Sequence, residues 1–147
     1  SERYSHEIPE LTEIRLGTYV FCDMSLVAGG IRTLDQCALR VLVTVVSTPA
    51  PGRAIIDAGI KTFTSDFPAL GTSGYIVEYP EAKFHAHSEE HGDVDTSALP
   101  HNLKVGERLT VIPNHACGIM NLHDQLVGMR KGVVEAVWNI AARGKVK

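Results

Sequence analysis

Two short clusters in this sequence combine residue types that hold metals and carry protons. Pro113-Asn114-His115-Ala116-Cys117 follows the apolar run Leu109-Thr110-Val111-Ile112, and Ser88-Glu89-Glu90-His91-Gly92 lies upstream of it. Imidazole and thiolate are ligand types that zinc prefers. Along extended backbone, residues i and i+2 face the same way, so His115 and Cys117 can aim at one ion without a specialised loop. Two protein ligands leave coordination positions open, which a catalytic metal needs and a structural metal avoids. Alone, His-x-Cys is a short motif, and a surface histidine beside a buried cysteine fits the same letters. Pro113 fixes the chain as it leaves the strand, and Asn114 can cap a short helix or satisfy loop backbone; both favour a rigidly held pair.

Glu90 and His91 are the candidates for acid/base work, or for holding a metal ligand by its second nitrogen. Adjacent carboxylates on a loop also read as ordinary solvated charge. Asp57-Ala58-Gly59, with Lys61 and Asp66 beyond it, ends a strand with polar groups and a glycine that lets backbone approach a ligand closely. A plain strand exit would carry the same residues. His85 and His87 alternate on a strand and read as paired surface histidines, and His6, His101 and His123 as surface.

The elements that must position these groups are mostly strands. Thr18-Tyr19-Val20-Phe21-Cys22 is aromatic and β-branched and reads as a strand. Leu39 to Val46 is a longer one, Pro49-Ala50-Pro51-Gly52 a turn, and Arg53 to Asp57 its antiparallel return. Tyr75 to Tyr79, Lys83 to Ser88 and Arg108 to Ile112 are further strands, whereas Gly71 to Gly74 reads as loop and Gly92 to Gly106 as mostly connection. Gln125 to Arg130 and Val133 to Ile140 form a hairpin across the two-residue turn Lys131-Gly132. Alternation places Val134, Ala136, Trp138 and Ile140 on one face of its last strand. Helix is confined to short pieces after Asp23 and after Asn114. About seven short strands with turn signals between them predict a mainly β fold, a single antiparallel β-barrel or sandwich-like domain with short helices.

The 147 residues suffice for one domain with a core of its own. A formal charge of −3 with 44% apolar and 21% charged residues carries no basic excess, which argues against nucleic acid as a partner. No apolar run reaches the roughly 18 to 20 residues of a membrane span. The three cysteines, Cys22, Cys37 and Cys117, are odd in number and favour a reducing, cytoplasmic setting. Cys22 and Cys37 read as small buried apolar residues.

Several pieces occur together and in order: Gly17-Thr18-Tyr19-Val20-Phe21-x-Asp23, Pro51-Gly52-Arg53-Ala54-x-x-Asp57-Ala58-Gly59-x-Lys61, Ser65-Asp66, Ser88-Glu89-Glu90-His91-Gly92, Val105-Gly106-Glu107, Pro113-Asn114-His115-Ala116-Cys117, Asn121-Leu122 and Ala142-Arg143-Gly144-Lys145. From about Glu13 to Lys145 the sequence resembles the C-terminal β-domain of D-serine dehydratases, D-threonine aldolases and 3-hydroxy-D-aspartate aldolases. These enzymes share the plan of alanine racemase, a pyridoxal-phosphate-binding α/β barrel followed by this β-domain.

The resemblance implies that His115 and Cys117 bind a divalent metal beside the cofactor, with Glu90 and His91 in nearby acid/base or supporting roles. Cysteine two positions after the histidine is the dehydratase pattern and goes with zinc; aldolase-like members generally carry aspartate there and take harder ions. Dehydration of D-serine to pyruvate and ammonia is therefore the expected reaction, with metal activating the substrate hydroxyl. The alternatives are an aldolase-like domain, or a dimerisation or binding module without chemistry. The resemblance also implies a homodimer, a small D-hydroxy amino acid as substrate, and a barrel domain supplied in cis or as a separate chain. That barrel and its pyridoxal-phosphate lysine are not in this sequence, and Lys61 lies in the β-domain motif.

Overall fold

The computed structural model describes residues 4–66 and 71–145. Among these residues, eight strands carry the fold: β1 Val41–Ala50, β2 Arg53–Ile56, β3 Gly74–Ile76, β4 Lys83–His87, β5 Gly92–Asp95, β6 Arg108–Pro113, β7 Gln125–Arg130 and β8 Val133–Asn139. The helices are single turns, α1 Met24–Ala28, α2 Ile60–Phe63 and α3 Ala116–Met120, with 3₁₀ turns at Ser5–Glu7, Thr18–Val20 and Leu34–Gln36. No helix is long and apolar enough to cross a membrane among the described residues.

Six strands form one antiparallel sheet in the order β3-β6-β1-β2-β5-β4. Its two edges approach each other where the Ser73 N–H donates to the Phe84 carbonyl at 2.7 Å and the Thr72 hydroxyl to the same oxygen at 2.9 Å. The sheet thus closes almost completely on itself, which removes most of the unpaired edge that an open sheet exposes. Inside lie Val43 and Val45 of β1, Ile56 of β2, Ile76 of β3, Phe84 of β4, Val94 of β5 and Leu109 and Val111 of β6, each no more than 1% exposed. Their neighbours Leu42 and Val46 point outward and are exposed, the period-2 pattern of a one-sided strand.

A second, smaller apolar cluster covers the outside of β6. Cys22, Cys37 and Ile112 form it, with Met24, Leu26, Val27, Leu34, Tyr75 and Val77 packed around them. The segment through α1 therefore lies against the strand that leads into His115. Both Cys22 and Cys37 are buried, as read from their types, and burial first, then the charges of Cys22 and Asp23, push the Cys37 thiol up.

The mainly β, barrel-like expectation holds, and two local expectations do not. Thr18–Cys22 is a 3₁₀ turn instead of a strand: Phe21 and Cys22 both donate to the Thr18 carbonyl, at 3.1 and 2.8 Å. Cys22 then takes φ 53 and reverses the chain into α1. β-propensity has no effect there because, among the described residues, no strand pairs with the segment. Gly92–Asp95, expected as connection, is β5, paired with β2 on one side and β4 on the other. It has a single apolar residue facing inward, Val94, while Asp93 faces out and pairs with the Arg53 guanidinium; that polar outer face hid the strand. Smaller differences are that β1 runs on to Ala50 and that β3 stops at Ile76.

The hairpin β7–β8 stands apart as a two-stranded sheet. Lys131 and Gly132, at φ 51 and 79, make its two-residue turn, and positive φ at both positions matches the right-handed strand twist. Both faces of β8 carry exposed apolar residues, including Val137 and Trp138.

Candidate metal centre

Strand β6 ends in the outer wall of the barrel, where Pro113 lies opposite Gly74 of β3. Asn114 is buried, its side-chain amide donates to the Thr72 carbonyl, and its own carbonyl accepts the Ser25 N–H at 3.2 Å. His115, at φ −140 and ψ 108, is the N-cap of α3, and Cys117 falls in the first turn of that helix. The alternation argument for this pair is thereby corrected. A strand-to-helix corner presents His115 and Cys117, and extended backbone does not. His115 is the residue at the cap position, and Asn114 takes the other role open to it, satisfying loop backbone at the Thr72 carbonyl.

His115 is gripped from a distant segment. Its Nδ1 lies 2.5 Å from Oδ2 of Asp66, with the imidazole 44% and the carboxylate 57% exposed. A carboxylate accepts and does not donate, so Nδ1 carries a proton, and the neutral ring keeps its lone pair on Nε2 for another partner. This is the carboxylate–histidine arrangement that orients metal-binding imidazoles. The local chain explains how Asp66 arrives there. α2 ends at Phe63, Thr64 turns the chain at φ 68, and the Thr64 hydroxyl accepts the Asp66 N–H at 3.0 Å. Gly118 lets α3 lie against that turn, because a Cβ there would stand 2.7 Å from Thr64 Cγ2.

Cys117 is exposed, and its Sγ is 3.4 Å from the Thr18 hydroxyl. Asp23 is wholly buried; one oxygen caps α1 and the other accepts the Ala116 N–H at 2.8 Å. Asp66, Thr18 and Asp23 thus surround the His115–Cys117 corner. All three stand in the quoted sequence pieces, but nothing local in the sequence pointed to these contacts. Among the described residues, no group of three or more His, Cys, Asp and Glu converges as an ion-holding cluster. The donors on offer are one imidazole nitrogen and one sulfur, a set suited to a soft or borderline ion such as zinc.

The other polar cluster serves a neighbouring corner. The Ser88 and Glu89 carbonyls accept the Ile60 and Lys61 N–H groups at 2.8 and 3.1 Å, so the turn after β4 caps the start of α2. Gly59 makes this possible: a Cβ there would lie 2.2 Å from the Ser88 carbonyl oxygen. Glu90 pairs with the Lys61 ammonium at the surface, which holds Lys61 above its ordinary value through that hydrogen bond and charge. His91 is exposed. Among the described residues no hydrogen bond or ion pair joins Glu90 or His91 to His115 or Cys117; the two corners are linked through α2, Thr64 and Asp66.

Two histidines read as surface are not fully so. His87 is half-buried against Phe84, with ring centroids 5.8 Å apart, and burial holds it below its ordinary value. His123 is half-buried, and its Nε2 lies 3.2 Å from the Thr62 carbonyl. His6, His85 and His101 are exposed.

The family described as the putative serine dehydratase domain matches residues 38–129. The chain belongs to that family. It is 38% identical over 136 residues to a D-threonine aldolase of an Arthrobacter species, a match covering 90% of this chain and 35% of the aldolase. It is 36% identical over 144 residues to a 3-hydroxy-D-aspartate aldolase of Paracoccus denitrificans, again 90% of this chain and 35% of the relative. An uncharacterized protein of Mycobacterium tuberculosis is 40% identical over 116 residues, covering 74% of this chain and 85% of that protein.

The chain thus spans about a third of the length of the two aldolases. Among solved structures it superposes on a His→Ala variant of D-threo-3-hydroxyaspartate dehydratase with TM-score 0.81 and 25% identity, over 92% of this chain and 39% of that one. A Cys→Ala variant of the same enzyme, altered two positions further along and in the metal-free form, superposes with TM-score 0.75 and 25% identity, over 87% and 38%. An alanine racemase-like protein of Idiomarina loihiensis, at 21% identity and TM-score 0.78 over 90% of this chain and 39% of that one, shares the fold.

Proposed function

We propose that residues 13–145 are the metal-binding β-domain of a pyridoxal-phosphate-dependent lyase acting on small D-3-hydroxy amino acids, and that His115 and Cys117 hold zinc. The observation that carries this is the exposed His115–Cys117 corner, with Nδ1 of His115 committed to Asp66. The dehydratase variants support it, because a histidine and a cysteine two positions apart were altered there and the cysteine variant's structure is of a metal-free form. Bound at this corner, zinc supplies Lewis acidity toward a substrate hydroxyl.

The chain's own residues do the rest. Asp66 fixes the ring of His115 and its tautomer, so that Nε2 faces outward. Thr18 donates toward the Cys117 sulfur, or accepts from it, and limits its rotamers. Glu90 and His91 lie on the neighbouring exposed turn, where they can exchange protons with solvent and with a substrate bound between this domain and a barrel. Lys61 is engaged by Glu90 at the surface and forms no enclosed cradle for a phosphate. No step is therefore assigned to pyridoxal phosphate held by this chain, which needs a barrel in cis or from a partner.

Cys117 favours dehydration of D-serine-like substrates, since a thiolate selects the softer ion. The second reading, aldol cleavage, is favoured by the higher identities to D-threonine aldolase and 3-hydroxy-D-aspartate aldolase, 38% and 36%, against 32% and 27% for the two dehydratases. A chimaera decides between them. With residues 13–145 replacing the corresponding domain of the Delftia D-threo-3-hydroxyaspartate dehydratase, zinc-dependent release of ammonia and a keto acid is expected from D-serine or D-threo-3-hydroxyaspartate. Release of glycine and an aldehyde from D-threonine would favour aldol cleavage. A folded, zinc-loaded chimaera with neither activity would contradict the lyase reading.

A further inference from the structure

We infer that Asp23 is a positioning residue of this metal corner, capping α1 and at the same time holding the Ala116 peptide between His115 and Cys117. The inference rests on the reading of His115 and Cys117 as ligands. The first N–H groups of a helix have no partner within it, and an N-cap side chain normally accepts from the second or third of them. At α3 it does not: His115 is the N-cap and makes no side-chain capping bond. The N–H of Ala116, the first residue of α3, is held at 2.8 Å by Oδ2 of Asp23, from 93 residues away. Oδ1 of the same carboxyl accepts from the Ser25 N–H at 3.1 Å, the Ser25 hydroxyl at 2.5 Å and the Leu26 N–H at 3.4 Å, and so caps α1. This bond ties the first turn of α3 to α1, while the His115 ring faces Asp66.

Charge adds a second argument. Asp23 is 0% exposed, and among the described residues no lysine, arginine or histidine pairs with it. Its partners are all N–H and O–H donors, the pattern suited to a carboxylate. The peptide it holds, that of Ala116, lies between the two ligand residues. A dication on His115 and Cys117 would bring positive charge to the two residues that flank this peptide, so Asp23 favours its binding through geometry and charge together.

The test measures zinc dissociation constants by chelator competition, together with the melting temperature of the metal-free chain. The parent is compared with Asp23→Asn, which keeps the size and loses the charge, and with Asp23→Ser, which still caps α1 but cannot reach Ala116. Val43→Ala, in the barrel interior, controls for stability, and His115→Ala tests the underlying reading. Both Asp23 variants are expected to bind zinc about 10- to 100-fold more weakly, with Val43→Ala within twofold of the parent despite a lower melting temperature. Parent-like zinc affinity in folded Asp23 variants overturns the inference. Parent-like affinity in His115→Ala overturns the metal reading instead.

If the Asp23 variants do not fold, amide hydrogen exchange in the parent decides. Coupling is reciprocal, so zinc must strengthen the clamp that strengthens zinc binding. Exchange at Ala116 and Leu26 is expected to slow at least about tenfold on zinc addition, and unchanged exchange at both overturns the inference.

Discussion

Asp66 Oδ2 holds His115 Nδ1 at 2.5 Å across 49 residues of sequence, and this contact fixes which imidazole nitrogen can face an ion. Removing it leaves the ring free to rotate and to exchange tautomers. Asp66→Ala is expected to weaken zinc binding about 10- to 100-fold with little change in melting temperature, since the pair lies at the surface. Chelator competition measures the first quantity and thermal unfolding of the metal-free chain the second. Unchanged affinity would show that His115 is oriented by something else.

Gly118 sets how closely α3 approaches the Thr64 turn that delivers Asp66. A methyl group there would lie 2.7 Å from Thr64 Cγ2. Gly118→Ala should therefore separate Asp66 from His115 and weaken zinc binding, even though alanine is the better helix former. Thr64→Ser removes the opposing methyl while keeping the hydroxyl that accepts from Asp66. The double variant is expected to recover most of the affinity. Equal loss in single and double variants would place the effect elsewhere.

Much of the barrel is legible in the sequence because its strands obey one rule. Val43, Val45, Leu109 and Val111 alternate with outward residues, and turn residues separate the runs. β5 breaks the pattern by burying Gly92 and Val94 between aspartates, so composition concealed a strand that pairing on both sides makes secure. Thr18–Cys22 fails in the opposite sense, with the composition of a strand and no strand beside it. At the corner, the types and spacing of His115 and Cys117 are visible as letters. The groups that hold them are not, since Asp66 and Asp23 reach them across 49 and 93 residues. Contacts of that span depend on how the barrel brings α1 and α2 to one end of β6.

Phe84 fills the barrel interior at 0% exposure and meets Phe63 edge-on, ring centroids 5.2 Å apart. Phe84→Ala should cost about 3–5 kcal/mol in urea unfolding. Leu42→Ala, on the outer face of β1, should fall within about 0.5 kcal/mol of the parent. A small loss at Phe84 would mean that the barrel repacks readily.

The Tyr79 hydroxyl donates to Glu107 at 2.6 Å, and this bond holds Glu107 below the usual carboxylate range and Tyr79 above its own ordinary value. A depressed carboxylate contributes stability that is present above its unfolded value of about 4.3 and is lost as pH falls through the folded one. Tyr79→Phe should therefore lower the melting temperature at pH 7, and the gap to the parent should close on acidification below about pH 4. A pH-independent gap would assign the effect to packing alone.

Zinc content per chain after exhaustive dialysis against metal-free buffer tests the central claim most directly. The parent is expected to retain close to one equivalent at His115 and Cys117. His115→Ala and Cys117→Ala, each still folded, should fall well below that. Equal zinc in the parent and both variants would contradict the assignment of this corner as the metal centre.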